Sequence, residues 1–113
     1  MLSLKSEQID RLSPQSLEPL SVRLVAHLRE RPEFQSFFER PEAGAVVYPL
    51  VIAAYEGGHR TQSEIARYVH LCLVCHRDIG QTRAMTELRS QGKGPAEALD
   101  HMERAVDQLL QEA

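Results

Sequence analysis

The amino-acid sequence predicts an all-α protein, a compact single-domain bundle of five or six helices over residues 1–113. Two observations indicate this class. Apolar residues recur every three or four positions along most of the chain, which is the spacing of a buried helix face. Proline and glycine divide the chain into segments of helical length. With 42% apolar and 26% charged residues, 113 residues suffice for one modest hydrophobic core.

The first helix is predicted over residues 14–31. Residues 1–12 precede it as a short amphipathic segment that docks loosely or frays. Ser13-Pro14 has a capping residue followed by proline at the first helical position, and Ser16 is a competing cap. Pro32 ends the helix because proline restricts the residue before it. The apolar stripe consists of Leu17, Leu20, Leu24, Val25 and Leu28.

The second helix is predicted from Pro41 or Glu42 to Glu56, in an almost continuously apolar segment. Its β-branched residues would also suit a buried strand. The length of the segment and a C-cap at Gly57 favour a helix, with a kink or break at Pro49. A helix that is apolar nearly all round needs covering on most sides, which exceeds what one small domain provides. This surplus indicates a protein partner.

All three phenylalanines lie between these two helices, in the segment 33–40. A short helix there would pin the connection to the core, whereas exposed aromatic residues would anchor an interface. Together with the apolar surplus of the second helix, they give the predicted partner-binding residues: Phe34, Phe37, Phe38, Val46, Val47, Leu50 and Val51.

The remaining helices follow from caps and spacing. Thr61 and Glu64 form a capping box, in which the threonine hydroxyl accepts the amide of Glu64 and the glutamate reaches back. The helix that it opens is predicted to end at Gly80. A shorter helix over 82–91 and a turn over 92–95 precede the last helix, 96–111. The inner stripe of the last helix is Ala98, Leu99, Met102, Ala105, Val106, Leu109 and Leu110.

The string Cys72-Leu73-Val74-Cys75-His76 has the spacing that attaches c-type haem, with two thiols and a histidine axial ligand. The same three side chains could begin a zinc site, although zinc sites usually combine two ligand pairs from separate elements. The further ligands would be Met85 or Met102 for haem, and His59 or His70 for zinc.

Two observations favour a buried helix face over such a site. Cys72 and Cys75 stand three positions apart among apolar neighbours, and free cysteine behaves as a small buried hydrophobe. The first fifteen residues lack the apolar core of a secretory signal, so we expect a cytoplasmic protein with reduced thiols. We therefore expect no cofactor. A haem- or zinc-binding protein using Cys72, Cys75 and His76 is the alternative.

Other function classes have weaker signals. No nucleophile motif, phosphate loop or catalytic carboxylate pair stands out, so we expect no enzyme, and no apolar run is long enough to span a bilayer. Residues 61–68 resemble the opening of a helix-turn-helix, but no glycine follows near Leu71 and the net charge is −3. A small DNA-binding regulator is therefore a further alternative.

Four strings of residues carry a family resemblance: HLRERPE at 27–33, AAYEG at 53–57, SEIARYVHL at 63–71 and VCHRDI at 74–79. Through these strings, residues 20–80 resemble small α-helical proteins of bacterial type VI secretion effector loci. It implies a non-enzymatic adaptor or co-chaperone that holds an effector chaperone, an effector or a spike-associated protein in the cytoplasm, and it leaves a homo-oligomer open. Cys72 and Cys75 would replace large apolar residues of that pattern, and His76 would replace a glycine.

Overall fold

The computed structural model describes residues 12–112, so the predicted N-terminal segment lies outside the described residues except for Leu12. These residues form an all-α bundle without a β-strand, which confirms the predicted fold class. Three short 3₁₀ turns accompany the helices, at Pro14–Ser16, Pro32–Phe34 and Ile79–Gln81. The helices are α1 Leu17–Arg29, α2 Gln35–Phe38, α3 Ala43–Glu56, α4 Gln62–Cys75, α5 Arg83–Ser90 and α6 Pro95–Glu112.

Helix α4 lies in the middle of the bundle. Helix α1 packs on α3, α3 packs on α4, α4 packs on α6, and α6 packs on α5. Ile65 and Val69 of α4 are fully buried. On the α6 side, the guanidinium of Arg67 donates to the carboxylates of Asp100 and Glu103. No helix among the described residues is both long enough and apolar enough to cross a membrane.

The predicted helix α3 forms, but the break expected at Pro49 is absent, because the helix continues through this residue. Proline lacks the amide that would donate to the carbonyl of Ala45, one turn earlier. Both residues lie on the exposed side of the helix, where water can satisfy that carbonyl. Val47, Val51 and Ala54 line the opposite, fully buried side. The proline is therefore accommodated on the one face where the missing hydrogen bond costs least.

The C-terminal end of α3 is closed by glycine in the left-handed conformation. Gly57 is the C-cap, as predicted, but the positive φ belongs to Gly58, at 104°. The amide of Gly58 donates to the carbonyl of Tyr55 at 3.0 Å, and the amide of His59 donates to that of Ala54 at 3.1 Å. This pair of bonds is a Schellman motif, which satisfies the last carbonyls of the helix.

The C-terminal end of α4 corrects the sequence-based boundary, because the helix stops at Cys75 and not at Gly80. His76 adopts a left-handed conformation with φ of 57°. Its amide donates to the carbonyl of Leu73 at 3.4 Å, and the amide of Arg77 donates to that of Cys72 at 3.1 Å. The chain thus closes α4 with the same motif as α3, but without a glycine.

The last two helices form close to their predicted bounds. The Thr82 hydroxyl caps α5 by accepting the amide of Met85, whose side chain is buried. Along α6, Ala98, Leu99 and Met102 are buried. Two members of the predicted inner stripe of this helix are exposed, Ala105 and Leu109. The buried stripe is therefore shorter than predicted, because the C-terminal part of α6 runs past the core.

Candidate functional site

Cys72, Cys75 and His76 differ in their exposure and do not form a group that could hold a metal ion. The Cys72 sulfur is buried and accepts the amide of Ile79 at 3.4 Å, while Cys75 is half-buried and His76 is exposed. Burial raises the pKa of the Cys72 thiol to about 12 and also raises that of Cys75. Metals bind the thiolate, which both environments disfavour.

A metal site built from a wider set of residues is also absent from the described part of the chain. No three His, Cys, Asp or Glu side chains among residues 12–112 are placed to bind one ion. The helix-turn-helix alternative also lacks its turn, because α4 passes Leu71 unbroken. Within the cysteine string, Cys72 and Leu73 belong to the core, whereas His76 lies on the surface after the end of the helix.

A buried polar cluster fastens the 79–81 turn to α4. The hydroxyl of Tyr68 donates to the carboxylate of Asp78 and accepts the amide of Gly80 at 3.0 Å. Burial, together with the Asp78 carboxylate, raises the pKa of Tyr68. A side chain at position 80 would overlap the Tyr68 hydroxyl, so only glycine fits there. This phenol is a neutral structural donor and is far from the ionised state that a catalytic base requires.

A second buried polar contact modifies the predicted capping box. The amide of Glu64 donates to the Thr61 hydroxyl oxygen at 3.2 Å, as predicted. The Glu64 side chain does not reach back to Thr61; its Oε1 lies 3.0 Å from Nδ1 of His59. His59 is almost fully buried, and its burial lowers its pKa. The glutamate thus satisfies a buried ring nitrogen whose burial no local sequence pattern indicates.

An open groove runs between the phenylalanine segment, α3 and the C-terminal end of α4. It has a larger compartment of about 670 Å³ and a smaller one of about 240 Å³, and Phe37, Leu73 and His76 line both. The larger is also lined by Glu33, Phe34, Ser36, Arg40, His70 and Val74. The smaller is also lined by Val46, Leu50, Cys72, Arg77 and Asp78.

The structure divides the predicted partner-binding residues into three groups. Phe37, Val46 and Leu50 line the groove. Phe38 lies outside it, with its ring edge-on to Phe37 and the Arg29 guanidinium 5.8 Å from its centroid. The remaining three are core residues, which corrects their assignment as surface anchors: Phe34, Val47 and Val51.

Helical geometry explains this correction. Val47 and Val51 are one turn apart on the face of α3 that packs into the core, so neither is exposed to a partner. Val46 and Leu50 form the neighbouring stripe, and 42% of the Val46 side chain remains exposed. Phe34 is 5% exposed, although it also lines the larger compartment.

The charged residues of the groove divide into paired and unpaired groups. The carboxylate of Glu33 accepts two hydrogen bonds from Arg31, at 2.9 and 3.2 Å, which lower its pKa to about 2. Asp78 is held by Tyr68 and by the Gly80 amide. Among residues 12–112, the exposed guanidiniums of Arg40 and Arg77 have no ion-pair partner.

Sequence reasoning did not assign most of the groove lining to partner binding, including Arg40, Leu73, His76 and Arg77. Leu73 and His76 face Phe37 from a position more than thirty residues away, which no local pattern reveals. His70 also lines the larger compartment, and its Nε2 lies 3.7 Å from Oε2 of Glu33, which is longer than a hydrogen bond.

The chain matches no protein-family model, no curated protein and no solved structure.

Proposed function

We propose that the protein is a non-enzymatic adaptor that binds a segment of another protein in this groove. The observation that carries the proposal is the exposed apolar lining of the groove. Val46 and Leu50 of α3 and Phe37 beside them remain accessible although the core of the bundle is complete. Contiguous apolar surface of this kind marks interaction sites, and helices commonly dock in such grooves.

The chemistry of the nearby polar groups supports binding over catalysis. A reactive cysteine needs an environment that lowers its pKa, whereas burial raises the pKa of Cys72 to about 12. Tyr68 and Asp78 are already satisfied by each other and by the 79–81 turn. The groups that line the groove are therefore suited to pack against a partner.

The resemblance of residues 20–80 supports the cellular role that we propose. In that role the protein acts in the bacterial cytoplasm as a co-chaperone of type VI secretion. The segment in the groove would belong to an effector chaperone, an effector or a spike-associated protein, held before it is loaded for secretion.

Co-expression with the products of the adjacent genes tests this proposal. The tagged chain is purified as wild type, as Val46→Glu in the groove, and as Val22→Glu on the exposed face of α1. Val22 is 66% exposed and lies outside the groove, so it is a matched valine control. Circular dichroism and thermal unfolding establish that both variants fold.

We expect wild type and Val22→Glu to retain one of these products equally, and Val46→Glu to retain at least tenfold less, because a buried carboxylate without a partner is costly. The proposal fails if wild type retains none of them. It fails equally if the two variants retain the same amount.

A further inference from the structure

The charge of the groove is opposite to the charge of the chain. The protein carries a formal net charge of −3. Two carboxylates line the groove, but Glu33 is engaged by Arg31, and Asp78 is engaged by Tyr68 and the Gly80 amide. Arg31 neutralises Glu33, whereas the donors to Asp78 are neutral and leave its negative charge in place. With Arg40 and Arg77 also in the lining, the groove has one more positive than negative charge.

The two arginines of the groove stand at separate places. Arg40 lines only the larger compartment and Arg77 lines only the smaller one, while Phe37, Leu73 and His76 lie between as the lining common to both. Both arginines are exposed, and neither forms an ion pair with another described residue. Guanidinium groups bind carboxylates through paired, charge-assisted hydrogen bonds.

We propose that the occupant of the groove is an acidic amphipathic segment of the partner protein. At least two of its apolar side chains enter the groove, one in each compartment. Carboxylates on either side of them pair with Arg40 and Arg77. This inference rests on the proposed function and specifies the chemistry of the partner.

The apolar lining favours a protein segment over a nucleic acid or a small anion. A phosphate-rich ligand gains from many cations along a strip, whereas this groove has two arginines separated by Phe37 and Leu73. A small anion would leave these apolar surfaces exposed to water. A segment with both apolar and acidic side chains covers the apolar surface and neutralises the two guanidiniums at once.

A selection from random peptides tests the inference even while the partner is unidentified. A phage library of 16-residue peptides, with acidic and basic residues at equal frequency, is selected on the immobilised wild-type chain. Counter-selection on Val46→Glu removes peptides that bind elsewhere. We expect the enriched peptides to carry net negative charge and at least two large apolar residues.

The most enriched peptide is then labelled with fluorescein and titrated by fluorescence anisotropy. We expect Arg40→Glu and Arg77→Glu each to weaken its binding by roughly threefold to tenfold, and added salt to weaken wild-type binding. Arg23→Glu is the matched control, since Arg23 is an exposed arginine of α1 outside the groove. It should leave the affinity unchanged.

The outcomes separate this inference from the proposed function. Enriched peptides that are neutral or basic overturn the acidic segment but leave groove binding intact. The same holds if both arginine reversals behave like Arg23→Glu. If no peptide distinguishes wild type from Val46→Glu, the groove is not a docking site and both proposals fail.

Discussion

Helices α3 and α4 end with the same hydrogen bonds but with different residues. At the end of α3, Gly58 has φ of 104° and the following His59 is buried. At the end of α4, His76 has φ of 57° and the following Arg77 is exposed. Glycine adopts a positive φ without penalty, whereas for an L-residue it costs about 1–2 kcal/mol. We call the end of α3, at Gly58, the sealed end, and the end of α4, at His76, the open end. The backbone is unstrained at the sealed end and strained at the open end.

The two helix ends also differ in their surroundings. At the sealed end, Gly58 packs against Pro95 at the start of α6, and only glycine fits at position 58. The strained end lines both compartments of the groove, and a non-glycine residue held at positive φ often marks a functional site. The same backbone motif therefore closes one helix against α6 and the other beside the groove.

Substitution at the sealed end should have the largest effect. In Gly58→Ala the new Cβ would lie 2.8 Å from Cγ of Pro95, in addition to the cost of positive φ. We expect the free energy of unfolding to fall by about 2 kcal/mol or more, measured by urea denaturation.

Gly92 is the matched control, since its φ is 83° but no atom lies within 4 Å of a Cβ built there. Gly92→Ala should lose only the conformational term, about 1 kcal/mol. Equal losses in the two variants would show that the contact with Pro95 costs nothing.

Substitution at the open end should have the opposite sign. His76→Gly relieves the strain of positive φ but increases the entropy of the unfolded chain, so we expect a net gain of about 0.5–1 kcal/mol in urea denaturation. The same variant should bind the partner or a selected peptide more weakly, because His76 lines both compartments.

His76→Asn separates these two effects, since asparagine tolerates positive φ but still carries a side chain. Its stability should fall between those of wild type and His76→Gly. A His76→Gly chain that is less stable than wild type would contradict the assignment of strain to this residue.

The residues that follow the two turns should differ in their pH dependence, which is the smallest expected effect. Burial lowers the pKa of His59 below the value of about 6.5 for the unfolded chain. The unfolded chain therefore takes up the proton first, and the contribution of His59 to stability is lost as the pH falls below about 6.5 towards the folded pKa.

Urea denaturation at pH 7, 6 and 5 tests this sign. His59→Gln, which can still donate to Glu64, should flatten the decline of stability over this range. Arg77→Gln, at the equivalent position of the other end, should leave the decline as in wild type, because it leaves His59 and its burial unchanged. A decline of equal slope in His59→Gln would remove His59 as its cause.

The sequence was sufficient for elements that local rules determine. The Thr61 cap, Pro95 at the start of α6 and the buried stripe of α1 all follow from residue type and spacing. These features depend on neighbours within one or two turns. Local propensity and tertiary packing agree there, so the prediction survives.

The end of α4 could not be predicted, because packing and not local propensity decides it. No glycine marks position 76, and the stop is supported by contacts made after it: Ile79 is buried, its amide donates to Cys72, and Asp78 binds Tyr68. The groove exists only because α4 ends at Cys75 and its last residues face Phe37. The apolar spacing continues past Cys75 to Ile79, so the sequence alone predicts a helix that extends to Gly80.

The Cys72 sulfur accepts the Ile79 amide, so the rate at which this thiol is alkylated would report local opening of the 79–81 turn. Alkylation requires the thiolate, and burial disfavours the thiolate of Cys72. In the folded protein, alkylation of Cys72 therefore requires the 79–81 turn to separate locally from α4. Cys75 is less buried and would be alkylated sooner. Since Cys72 lines the smaller compartment, an occupant of that compartment would slow the alkylation of Cys72. Binding could then be followed without attaching a label to the protein beforehand.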